Sequence, residues 1–104
     1  MHYNCFLCVY MYRVVLEVVH VPQKCAVNYK VGDKIVIDDA SIVLQESDNV
    51  CLYALSSLTP YLTCLSRELA EDDWMSKVTE LSCQDSHDPV KFKVTRVKRR
   101  QTTE

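Results

Sequence analysis

The chain has 104 residues, 48% hydrophobic and 25% charged, with a net charge of −2. That length makes one domain, large enough to fold without a metal or a disulfide, and the near-neutral charge gives no global argument for nucleic acid binding. A single glycine excludes a glycine-rich phosphate loop, and no apolar stretch reaches transmembrane length.

Residues 1–10 differ in character from the rest and read as an N-terminal extension, with Met11 an alternative start. Phe6, Leu7, Val9 and Tyr10 have good strand propensity, so a longer first strand is the alternative reading. It is apolar near residues 5–12, but no basic segment precedes it and no small-residue cleavage site follows. The expected location is therefore cytoplasmic, with the six cysteines reduced.

From Tyr12 to Val21, Val14, Leu16 and Val18 share one face, and Arg13, Val15, Glu17 and Val19 the other. This predicts a strand well buried on one side, ended by Pro22. Lys30-Val31-Gly32-Asp33 predicts a turn in which Gly32 adopts a positive φ. Lys34 to Ile37 reads as a short strand, broken by Asp38-Asp39, and Ser41 to Gln45 as a further short strand or a loop.

Ser47-Asp48-Asn49 is a helix-start signal. Cys51, Ala54, Leu55, Leu58, Leu62, Leu65 and Leu69 then recur at spacings of three and four. Pro60 interrupts this stripe, so the expectation is a kinked helix, or two abutting helices with Thr59 capping the second, running to about Leu69. After an acidic loop carrying Trp74, Lys77 to Cys83 reads as a strand. Val90, Phe92 and Val94 form the inward face of the last strand, and the opposite parity of Val97 predicts a bulge or strand end near Arg96.

The expected architecture is α+β: a small, mainly antiparallel sheet covered on one face by a Pro-kinked helix or helix pair. It occupies residues 11–98, with the first and last strands side by side and 99–104 a polar tail.

Cys25, Cys51 and Cys83 fall at three element boundaries of the kind that converge at one end of a small α+β domain. Three thiolates with a fourth ligand from His87 or Cys64 would suit zinc or an iron–sulfur cluster. Their separations of 26 and 32 residues match no standard metal motif, and buried packing is the competing reading. Cys51, if in the first turn of the helix, is the best candidate for a reactive thiol, because amide dipoles there favour thiolate. Its place on the apolar stripe opposes this. Cys64 falls about 140° around an unbroken helix from Cys51. Cys5-Phe6-Leu7-Cys8 is a C-x-x-C that does not open a helix after a strand. Lys91, Lys93, Arg96, Lys98, Arg99 and Arg100 could form a basic strip, which without interleaved aromatics reads as a solvated edge.

Cys25, Lys30, Gly32 and Asp33, then Cys51, Ala54, Pro60 and Tyr61, then Asp73-Trp74, then Cys83, Asp85, Pro89, Val90 and Phe92 follow an order that resembles a family of small uncharacterised prokaryotic proteins about ninety residues long. Its pattern is Cys-Pro-x-Gly-His-Lys-x-Gly-Asp, Ile-Cys continuing through Ala to Pro-Tyr, an acidic Trp loop, and Cys-Pro-Asp before a Val-x-Phe strand. The resemblance spans roughly residues 11–98. Ala26, Asn28, Tyr29 and Gln84 depart from it. Tyr29 stands where the family has His, so any role of that His would be lost here. The family carries no established activity, so the resemblance supports the fold more than the function.

No complete catalytic constellation is readable. The leading expectation is a non-catalytic binding or accessory module whose partner is unknown, a protein being one possibility, with no membrane and nucleic acid disfavoured. The alternatives are a metal or cluster protein using Cys25, Cys51 and Cys83, and a thiol redox enzyme using Cys51.

Overall fold

The computed structural model describes residues 12–23, 28–38, 40–83 and 88–98. The expected extension (1–10) and tail (99–104) lie outside the described residues. Five strands, β1 (Tyr12–His20), β2 (Lys34–Asp38), β3 (Ser41–Ile42), β4 (Glu80–Ser82) and β5 (Lys91–Lys98), form one sheet in the order β3-β2-β1-β5-β4. Every neighbouring pair is antiparallel. The helix α1 (Leu52–Leu65) lies between β3 and β4 in the chain, and short 3-10 turns occupy Leu44–Glu46 and Trp74–Lys77. Among the described residues, no helix is long and apolar enough to cross a membrane.

The alternation in β1 and β5 sets the middle of the sheet. Val14, Leu16, Val18 and Phe92 are wholly buried. Leu16 stands opposite Val94 and Val18 opposite Phe92. The first and last strands are side by side, as their apolar content predicts. Ala54, Leu58, Leu62 and Leu65 of α1 belong to the same hydrophobic cluster as these strand residues, with Ile35, Ile37, Tyr29, Met75 and Val90. Burying such side chains stabilises a fold by roughly 1.5–3 kcal/mol each.

The turn before β2 forms as expected. The Asp33 amide donates to the Lys30 carbonyl at 2.9 Å, and Gly32 has φ +100°. The hairpin joining β2 and β3 pairs Asp38 with Ser41, and Ala40 within it holds φ +66°.

Several local expectations are corrected. Ser47 and Asp48 do not cap the helix. The Ser47 hydroxyl accepts from the Val36 amide and the Asp48 carboxylate from the Lys34 amide, so both close the outer edge of β2. An open edge invites pairing with other chains, and these side chains occupy it. The helix begins at Leu52, with Cys51 as its N-cap residue and no side-chain cap. It is a single helix that continues through Pro60 and ends at Leu65 rather than near Leu69. Thr59, Thr63 and Ser66 each donate a hydroxyl hydrogen bond to the carbonyl four residues earlier, on both sides of the proline.

The strand expected from Lys77 is reduced to Glu80–Ser82, because Trp74–Lys77 is a 3-10 turn whose Met75 amide is met by the Asp73 side chain. β5 runs unbroken through Arg96 to Lys98, and the register shift lies in β1 between Val18 and His20. Val97 sits on the outward face, half exposed, where no core demands a change of parity.

Candidate functional site

Tyr29 is the residue that organises the start of α1. It is buried, its ring meets Phe92 edge-on with centroids 5.8 Å apart, and its hydroxyl accepts from the Cys51 amide at 2.8 Å. Helix starts leave amides without intrahelical partners, and here a phenol from the preceding loop meets one of them. The sequence reading passed over this role. No local pattern in the sequence points to it, since Tyr29 and Cys51 are 22 positions apart.

Cys51 is half-buried and packs against the core. It sits one position before the first helical turn rather than within it. Cys83 follows β4. Its amide donates to the Val90 carbonyl at 3.0 Å, and its sulfur accepts from the Val90 amide at 3.3 Å. It also packs against the core. Cys51 and Cys83, two of the three proposed cysteines, thus both pack against the one hydrophobic cluster. Cys25 and His87 lie outside the described residues, as do Cys5 and Cys8. Cys64 is exposed on α1. Among the described residues, no group of three or more His, Cys, Asp or Glu side chains could hold a metal ion.

His20 Nε2 lies 2.9 Å from Asp88 Oδ1, tying the end of β1 to the turn before β5. Arg13 binds Glu46 through two guanidinium nitrogens at 3.0 and 3.1 Å and approaches Asp38 at 3.4 Å. Hydrogen bonding to Glu46 is the main cause raising the Arg13 pKa, with the charges of Glu46 and Asp38 adding and desolvation opposing.

The basic strip does not form one surface. Lys91 and Lys93 are exposed on the outward face of β5, but Arg96 turns to the core side. Arg96 donates to the carbonyls of Leu65 and Arg67, where α1 ends, and its guanidinium carbon lies 3.9 Å from the centre of the Tyr12 ring. A cation at a helix C-terminus opposes the partial negative charge there.

Clefts open at the surface among the described residues. A polar one of about 530 Å³ is lined by Asn28, Lys30, Asp33, Ser47 and Asp48. An apolar one of about 260 Å³ lies between α1 and the β2–β3 hairpin, lined by Ile37, Ile42, Leu55 and Leu62. No family model, curated protein or solved structure matches the chain.

Proposed function

We propose that this chain is a non-catalytic binding or accessory module that engages a protein partner through the outward side of α1. The observation that supports the reading is the exposure of large side chains there. Leu52 is 69% exposed and Tyr53 60%. Pro60 and Cys64 are exposed on the same helix, and the helical repeat puts Tyr53, Pro60 and Cys64 along one line. Aromatic and aliphatic side chains exposed at the start of a helix suit a partner with an apolar groove, and Tyr is enriched among residues that carry interface energy.

A photo-crosslinking amino acid introduced at Tyr53 in cells tests this. A discrete adduct, lost on Leu52→Asp and absent when the same amino acid replaces exposed Glu68, supports the module. Identical adduct patterns at both positions overturn it.

A second reading keeps Cys25, Cys51 and Cys83 as ligands of zinc or an iron–sulfur cluster, with His87 or Cys64 as fourth ligand. It is favoured by the packing of Cys51 and Cys83 against one hydrophobic cluster and by the amide hydrogen bond to the Cys83 sulfur, since such bonds tune metal-bound thiolates. Anaerobic purification with elemental analysis and an absorption spectrum decides it. A stoichiometric metal would displace the first reading, and metal-free protein would end the second.

A further inference from the structure

We propose that the outward face of the sheet binds a second copy of this chain. The sheet registers put Glu80 opposite Lys93, Lys93 opposite Glu17, and Glu17 opposite Lys34. One row across β4, β5, β1 and β2 therefore reads acid, base, acid, base. Neighbouring strands are about 4.8 Å apart, so the row spans roughly 14 Å. Glu80, Lys93 and Lys34 are exposed and Glu17 half-buried. On one side of the row stand exposed Thr95, half-buried Val15 and buried Val36, and beyond them exposed Val97 opposite Arg13, whose guanidinium is held by Glu46.

Opposite charges across strands attract within a single chain, which accounts for local pairs. The full row has a further property. A two-fold axis lying in the face, parallel to the strands and between β5 and β1, puts Lys93 against Glu17 of the other copy and Glu80 against its Lys34. The same operation sets Thr95 on Val15 and Val97 on Arg13. An axis along the row would instead put each charge on its own duplicate. The pattern is thus self-complementary in one orientation, the condition an isologous two-fold interface must meet, and charge complementarity of this kind fixes register. The row lies at the open end of the face: beyond Lys34 on β2, Val36 is 2% exposed, and Arg13 reaches across the strand to Glu46 of the turn 44–46. This surface is separate from the outward side of α1, so the proposal does not rest on the binding reading above.

Sedimentation of the full chain tests it with three proteins: the wild type, Lys93→Glu and Glu17→Lys. The wild type should dimerise in a concentration-dependent way that weakens as salt rises. Each single variant should dimerise at least about tenfold more weakly, since like charges then face each other at two places in the dimer. An equimolar mixture of the two variants should recover the dimer, because the introduced acid of one chain meets the introduced lysine of the other. Each chain keeps its own internal like-charge pair in that mixture, so recovery reports contact between chains and not repair within one. Leu52→Asp should leave the dimer unchanged. A monomeric wild type, single variants that dimerise like the wild type, or a mixture that stays monomeric would each overturn the proposal. Should either single variant fail a circular dichroism melt, Glu80→Lys at the short edge strand replaces it. That variant must also weaken the dimer, or the interface is not this face.

Discussion

The hydroxyl of Tyr29 stands 2.8 Å from the amide of Cys51 and accepts its hydrogen bond, joining the loop before β2 to the N-cap residue of the helix. The ring beneath that hydroxyl packs edge-on against Phe92, so one side chain links loop, helix and sheet.

Tyr29→Phe keeps the ring contact and removes the acceptor. It should destabilise the fold by about 1–2 kcal/mol, because a half-buried amide loses its partner. Urea unfolding would measure this. Tyr29→Ala removes the ring as well and should cost about 3–5 kcal/mol. Equal stabilities for the two variants would mean that the ring contact contributes nothing, and a Phe variant as stable as the wild type would mean the same of the hydrogen bond.

Leu58 is 1% exposed and central to the buried stripe of α1. Leu58→Ala should cost about 2–5 kcal/mol, the transfer term plus the cavity left behind. A change below 1 kcal/mol would show that the helix does not rely on the shared core.

The two turns make a paired prediction. Ala40 holds φ +66°, a conformation that costs a residue with a Cβ about 1–2 kcal/mol, so Ala40→Gly should raise stability by several tenths of that or more. Gly32 holds φ +100°, and a Cβ there would meet no atom within 4 Å. Gly32→Ala should therefore lower stability by about 1 kcal/mol through backbone strain alone. Thermal melts of both variants, moving in opposite directions, would check the assignment.

The Arg13 pair predicts a pH profile. Its pKa is raised in the folded chain, chiefly by hydrogen bonding to Glu46, so its contribution is fully present below the ordinary guanidinium value. It is lost only as pH rises through the still higher folded value. Arg13→Met should therefore shift the melting temperature without changing its slope against pH between neutrality and pH 9. A slope appearing only in the variant would contradict this.

The parts of the fold that were legible are those whose signal repeats within one element. Period-two burial in β1 and β5 and the three-and-four spacing of Ala54, Leu58, Leu62 and Leu65 each restate one fact several times, and all four helix residues are buried. The parts that were not legible depend on a distant partner. Ser47 and Asp48 have the chemistry of helix caps, but the amides nearest to them belong to β2. Arg96 looked like one member of a basic strip, while its partners are the last carbonyls of a helix some thirty residues earlier. At the candidate site, the boundary positions of Cys51 and Cys83 were readable. The Tyr29 hydroxyl that meets the Cys51 amide was not, because no local pattern links residues 22 positions apart.

The pairing of β1 with β5 also governs when this chain can fold. Its central strand finds its main neighbour only among residues 91–98. The β2–β3 hairpin can close early, but Leu16 and Val18 have no opposite residues on that side until Val94 and Phe92 have been synthesised. Closing so long a loop is an entropic cost that precedes the contacts which reward it. During synthesis the nascent chain therefore carries its most apolar strand half-matched until the last strand emerges, and it is over that interval that a chaperone would have most to protect.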